Sequence, residues 1–180
     1  MKQLYEKYRP TKYEDVIGQD KVIEQINHLR TRGLAGRAYW ISGQSGTGKT
    51  TIARLMACEI ADEWYIEEID ATGLTAAAIN TIESNMQTYS LGKGGRAFII
   101  NESHGLSRPA VRQLLVLLER LPSHVIFIFT TTNEGQLSFF EDKQDASPLL
   151  SRCIRLDLAR RNLAHSRTQG QVKSWLCVCL

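Results

Sequence analysis

One eight-residue segment, Gly43-Gln-Ser-Gly-Thr-Gly-Lys49-Thr50, fits the pattern G-x-x-x-x-G-K-[ST] and constrains the rest of the chain more than any other feature. Before it stands Ala38-Tyr-Trp-Ile-Ser42, an apolar run of strand length. After it, Ile52, Leu55, Met56 and Ile60 recur at helical spacing. The segment therefore joins a strand end to a helix N-terminus. There, unpaired N–H groups and the positive end of the helix dipole face an anion, and glycines let the backbone curl around phosphate oxygens. Gly43, Gln44, Ser45, Gly46, Thr47, Gly48, Lys49, Thr50 and Thr51 are the expected nucleotide-binding residues. Lys49 reaches the β and γ phosphates, and the Thr50 hydroxyl holds Mg²⁺. The competing reading is a glycine-rich turn that holds nothing. The strand, the helix and the Lys-Thr pair argue against it and for a nucleoside triphosphate, with ATP and Mg²⁺ as cofactors.

The chain has 180 residues, 43% hydrophobic and 23% charged, enough for one α/β core and short for two. No run approaches the roughly 18 apolar residues of a membrane span. The N-terminal MKQLYEKYRP lacks the apolar centre of a signal peptide, so a cytoplasmic protein is expected. Cys58, Cys153, Cys177 and Cys179 have no paired C-x-x-C spacing, which predicts reduced thiols and no zinc. The net charge of +3 does not announce a nucleic-acid binder, so any DNA contact has to be argued locally.

Along the chain, strand-like and helix-like segments alternate. A helix is expected from Asp20 to about Arg32 with Val22, Ile23 and Ile26 on one side. Tyr65 to Asp70 reads as a strand, and Thr75 caps a helix carrying Ile79, Ile82 and Met86. After the connector Leu91-Gly-Lys-Gly-Gly95, Arg96-Ala-Phe-Ile-Ile100 is a strand ending in Asn101-Glu102. Ser107 and Pro109 open a helix with Val111, Leu114, Leu115 and Leu118 as its stripe. Val125-Ile-Phe-Ile-Phe129 reads as a strand buried on both faces, ending in Thr130-Thr-Thr-Asn133. A polar stretch with an exposed Phe139-Phe140 pair follows, and a last strand runs from Ile154 to Leu158. This alternation predicts a five-stranded parallel sheet with helices on both faces. Ligands of such sheets sit beyond the strand C-terminal ends, so Gly43 to Thr50, Asn101-Glu102 and Thr132-Asn133 should converge.

Glu102, at a strand end after an intact phosphate loop, suits the polarisation of a water near a γ-phosphate; its alternative is a solvated acid. Asn101 stands where most phosphate-loop enzymes have Asp. An amide accepts a hydrogen bond from metal-bound water without bringing charge, so metal affinity should fall. An Asn101→Asp variant is accordingly expected to hydrolyse faster. Thr132 and Asn133 suit either the γ-phosphate or a strand-end cap. Arg152 is remote in sequence from the phosphates and reads alone as a surface charge.

In order, Tyr8-Arg9-Pro10, Val16-Ile17-Gly18-Gln19, GQSGTGKT, the Ile-Ile-Asn-Glu and Thr-Thr-Thr-Asn strand ends and Ser151-Arg152-Cys153 resemble the motif series of clamp-loader AAA+ ATPases. That group includes bacterial DNA polymerase III gamma/tau subunits and replication factor C small subunits. His104-Gly-Leu-Ser-Arg108 and Leu114 to Pro122 are especially similar to gamma/tau. The resemblance covers roughly Leu4 to Ala164. It implies that Arg9, Pro10 and Ile17 line the adenine pocket, Thr132 senses the γ-phosphate and Glu102 is the catalytic base. It further implies that Arg152 is an arginine finger for a neighbour's ATP, and that Arg108 and Arg112 contact DNA phosphates, with a solvated helix face as the alternative. Expected partners are other clamp-loader subunits, a sliding clamp and primer-template DNA, with no membrane. A nucleotide-binding structural subunit that donates Arg152 but hydrolyses little is the second reading; a Holliday-junction motor or helicase loader is a third, opposed by Ser-Arg-Cys. Three features depart from the group: Asn101, the absence of a four-cysteine zinc module after the loop helix, and an end where a helical lid and collar are expected. Residues 1–160 are thus read as the AAA+ domain, and 161–180 as a lid remnant or atypical tail: a truncation product, frame-shifted end or docking peptide.

Overall fold

The computed structural model of the chain describes residues 9–142 and 146–160. Tyr8 and the proposed tail at 161–180, with Cys177 and Cys179, lie outside them. Helix α1 (Asp20–Arg30) is followed by β1 (Arg37–Gly43), α2 (Lys49–Ile60), β2 (Ile66–Asp70) and α3 (Ala76–Met86). Then come β3 (Arg96–Asn101), α4 (Arg108–Glu119), β4 (Val125–Thr131), α5 (Asn133–Asp142), α6 (Ala146–Ser151) and β5 (Cys153–Leu158). The five strands form one sheet in the order β2-β3-β4-β1-β5, every pair parallel, as the alternation requires. All of β4 is buried, and its neighbours β1 and β3 are nearly so, which is why those runs are almost uninterrupted in apolar residues.

Each strand sends alternate side chains to opposite faces, and each face has its own core. Tyr39, Ile41, Ala97, Ile99, Ile126 and Ile128 pack under α1 and α2, against Val22, Ile26, Ile52 and Met56. On the other face Trp40, Phe98, Phe127 and Phe129 meet α3, α4, α5 and α6 through Ile82, Leu114, Phe139 and Leu149. The helix starts follow their capping signals. Thr75 Oγ1 accepts from the Ala78 N–H (3.2 Å), and Ser107 Oγ accepts from the Ala110 N–H (3.3 Å) with Pro109 in the first turn.

Two sequence expectations are corrected. Residues after Thr132 form α5 rather than an irregular polar stretch, and Phe139 is not exposed: it is 1% accessible, with its ring centroid 5.8 Å from that of Trp40. The side chain of Phe140 lies outside the described set. On α4 the fully buried residues are Ala110, Val111, Leu114 and Leu117, while Leu115 and Leu118 flank them half-buried. Because α4 packs against both α3 and α6, its apolar contact surface is wider than the single stripe Val111-Leu114-Leu115-Leu118.

Candidate functional site

Parallel strands leave all their C-terminal ends on one edge of the sheet, and the phosphate loop, Glu102 and Thr132 all follow such ends. Gly43 closes β1 in tight quarters: a Cβ there would stand 2.8 Å from the Leu158 carbonyl oxygen and 2.8 Å from Thr47 Oγ1. Gly48, the residue before α2, has φ 92°, a left-handed value that turns the loop into the helix without a Cβ penalty. The first N–H groups of α2 thereby face the hollow of the loop.

Lys49 is buried, and its Nζ donates to the carbonyls of Gly43 (3.1 Å) and Gln44 (2.9 Å). Burial pushes its ammonium below the ordinary lysine value, and the Glu102 carboxylate opposes that shift. A buried cation beside a helix N-terminus is what an anionic phosphate chain neutralises. Glu102 is the one non-glycine residue of positive φ among the described residues (φ 50°, ψ 47°). Holding it there costs on the order of 1–3 kcal/mol, and such strain concentrates at functional sites. The turn that follows stabilises it: the Gly105 N–H donates to the Glu102 carbonyl (2.8 Å), and Ser103 Oγ to that of Ile100 (2.9 Å).

Asn101 ends β3 on the α2 side of the sheet, two residues beyond Ile99. Its Oδ1 accepts from Thr130 Oγ1 (2.8 Å), and its Nδ2 donates to Glu68 Oε1 (2.6 Å). Glu68 in turn pairs with Arg54 of α2 (2.7 Å). Thr50, Asn101 and Glu68 supply hydroxyl, amide and carboxylate oxygens, the donor type that Mg²⁺ prefers. Among the described residues no cluster of three or more His, Cys, Asp or Glu side chains could hold a metal by itself. These donors fit an ion that arrives with phosphate oxygens and keeps several waters.

A cleft of about 300 Å³ opens beside the loop, lined by Gln44, Ser45, Thr132, Asn133, Glu134 and Arg160. Thr132 has the capping role weighed for it: its Oγ1 accepts from the Gly135 N–H (3.1 Å) at the start of α5. The hydroxyl hydrogen can still be donated into the cleft. Arg9 and Pro10 are partly buried, whereas Ile17 is 60% exposed. Gln19, two residues on and the last residue of the Val16-Ile17-Gly18-Gln19 segment, has a role that the sequence reading did not assign. It is buried, donates to the carbonyls of Thr47 (3.3 Å) and Ala159 (2.8 Å), and accepts from the Ala159 N–H (3.2 Å). It clamps the phosphate loop to the end of β5. Arg160 was also missed, and the only signal for it was its place just after a strand end.

Arg108 and Arg112 are exposed on α4, and Arg112 borders a groove with Glu83 of α3. Arg152 is not brought to the cleft. It pairs with Glu119 and donates to the Pro148 carbonyl (3.1 Å), at the start of β5. In register, Cys153 lies beside Ala38 and Leu158 beside Gly43. Six residue steps at ~3.3 Å each set Arg152 roughly 20 Å from the level of the loop, beyond the reach of its side chain.

Comparison with known proteins agrees with this architecture. DNA polymerase III subunit tau of Escherichia coli is 31% identical over 190 residues, covering 92% of this chain and 28% of that protein. The gamma/tau subunit of Mycoplasma pneumoniae is 29% identical, covering 96% of this chain and 28% of its own length. The chain thus spans between a quarter and a third of these relatives. In fold it resembles a RuvB variant of Thermotoga maritima (TM-score 0.63, 23% identity, 83% of this chain and 48% of that one). It also resembles a DNA polymerase III gamma subunit-related protein of the same organism (TM-score 0.60, 15% identity, with the same coverage). Residues 39–153 match the family described as "ATPase family associated with various cellular activities". With its five-stranded parallel sheet, its phosphate loop and that match over more than half its length, the chain belongs to the AAA family of ATPases.

Proposed function

We propose that this chain is an ATP-binding subunit of a clamp-loading assembly in DNA replication, and that residues 1–160 form its nucleotide-binding domain. The observation that carries the ATP site is the buried Lys49 ammonium set over the loop and electrostatically coupled to Glu102. In this reading the loop N–H groups bind the phosphates, and Lys49 neutralises the β and γ oxygens as charge moves onto the leaving group. Mg²⁺, when bound by Thr50 and Asn101 with phosphate oxygens and water, supplies charge neutralisation there. Glu102 takes the proton of the attacking water, and the Thr132 hydroxyl donates to the γ-phosphate. Arg9, Pro10 and Ile17 would border the adenine. Arg152, lying at the far edge of its own sheet, would serve a neighbouring subunit's ATP. Arg108 and Arg112, exposed on α4, would meet the phosphates of primer-template DNA.

A second reading has a specific observation behind it. Both ends of the Asn101 amide are engaged, with Thr130 and Glu68. One lone pair of Oδ1 remains for metal-bound water, and no charge comes with it. A subunit that holds ATP as an assembly cofactor, hydrolyses little and contributes Arg152 to a partner fits that arrangement. ATP binding and turnover, measured for the chain alone and with partner subunits, a sliding clamp and primer-template DNA, separate the two. DNA-stimulated turnover is expected for the loader. Micromolar binding without stimulated turnover in any mixture would leave only the structural subunit.

A further inference from the structure

His104 sits in the short turn Ser103–Gly105, between Glu102 and α4. Its Nδ1 lies 3.4 Å from Glu102 Oε2 and 3.2 Å from Thr131 Oγ1, the last residue of β4. The Thr131 hydroxyl has an acceptor of its own in the Thr132 carbonyl (3.3 Å), which leaves its oxygen able to accept from the ring. With the hydrogen on Nδ1, both oxygens facing it can accept, and the carboxylate can do nothing else.

Gly135, in the first turn of α5, also lies against the ring. A Cβ at this position would stand 2.4 Å from His104 Nδ1 and 2.6 Å from Cγ, distances that would force the imidazole away. The Gly135 backbone is not in the left-handed region, so its conformation does not call for glycine. A glycine inside a helix costs about 1 kcal/mol relative to alanine. The space taken by the imidazole accounts for that cost.

We propose that His104 is a positioning residue. Through Nδ1–H it holds the Glu102 carboxylate and ties it to the end of β4, one residue before Thr132, and Gly135 provides the room. The inference rests on the reading of Glu102 as the base. Glu102 is half-exposed, and without this tether its carboxylate is free to leave the water it must deprotonate.

The test uses the full chain in the assembly that turns over ATP. His104→Ala is expected to lower kcat by about 10- to 100-fold, as misplacement of a catalytic group does, with KM for ATP and the melting temperature unchanged. His104→Asn places an amide N–H where Nδ1–H lies and should restore most of the rate; His104→Gln should not. Gly135→Ala should lower kcat without lowering the melting temperature. Added to His104→Ala it should cost nothing further. The proposal fails if His104→Asn is as slow as His104→Ala, or if Gly135→Ala keeps the parent kcat. Glu102→Gln is run in parallel, and an unchanged kcat there would sink the assignment of the base rather than the tether. The tether is then read independently of turnover, from long-range ¹H–¹⁵N spectra of the neutral form of His104. An Nδ1–H tautomer is expected; an Nε2–H tautomer overturns the proposal.

Discussion

Lys49 is a residue whose placement works against the stability of the ligand-free fold. Its ammonium is buried and pushed below the ordinary lysine value of 10.5, chiefly by burial. Because the folded-state pKa lies below that of the unfolded chain, the cost is fully present at neutral pH. It is relieved as pH rises past the folded-state value toward 10.5. Lys49→Met, which keeps the stem and removes the charge, should therefore melt higher than the parent without nucleotide, by on the order of 2 °C per ~1 kcal/mol for a chain this size. The same variant should lose ATP binding; calorimetry with and without ATP checks both. Cys153 offers a second residue-scale expectation. Burial pushes its thiol up to about 12, so it should resist iodoacetamide in the native protein and react once the chain is unfolded, as peptide mapping would show. The phosphate-loop residues were legible in the sequence because their chemistry demands a fixed local spacing. Glu102 was legible too, but its positive φ and the clamp made by Gln19 were not, because the contact from Gln19 to Ala159 spans 140 residues and the φ of Glu102 is set by the turn after it.

At the scale of elements, each strand was legible to within a residue or two, because apolar runs of strand length bounded by polar residues have few alternatives in an alternating α/β chain. Helix α5 was hidden. Of its apolar residues Leu137 is 66% exposed and Phe139 is buried, so no repeating stripe marks it. Its start is set by Thr132, the residue that also faces the cleft, and function and capping give the same sequence signal there. Phe139 fixes the helix to the sheet against Trp40, whose indole N–H also donates to Gln136 Oε1 (3.1 Å). Phe139→Ala should cost about 3–5 kcal/mol of unfolding free energy, within the range for removing a buried phenyl ring, and urea titration would measure it. Since α5 also carries Gly135, that loss should be accompanied by slower turnover.

For the molecule as a whole, the sheet sets the two proposed roles at opposite ends of its strands. The strand C-terminal ends gather Lys49, Glu102, Thr132 and the cleft, while Arg152 stands at the start of β5 and pairs with Glu119. Such a partly exposed ion pair contributes little to stability, which leaves the guanidinium available for exchange onto another anion. The separation was only partly legible in the sequence: the Ser-Arg-Cys segment marked Arg152, but its distance from the loop follows from the parallel register of β1 and β5. In the function proposed above, this chain binds ATP at its own loop and completes a neighbour's site with Arg152. Arg152→Ala tests it most directly, by ATP affinity of the isolated variant alongside turnover of the assembly built with it. Affinity should match the parent, and turnover should fall by about 10³-fold or more, the range for losing an arginine finger. Reduced affinity in the isolated chain, or full turnover in the assembly, would contradict it.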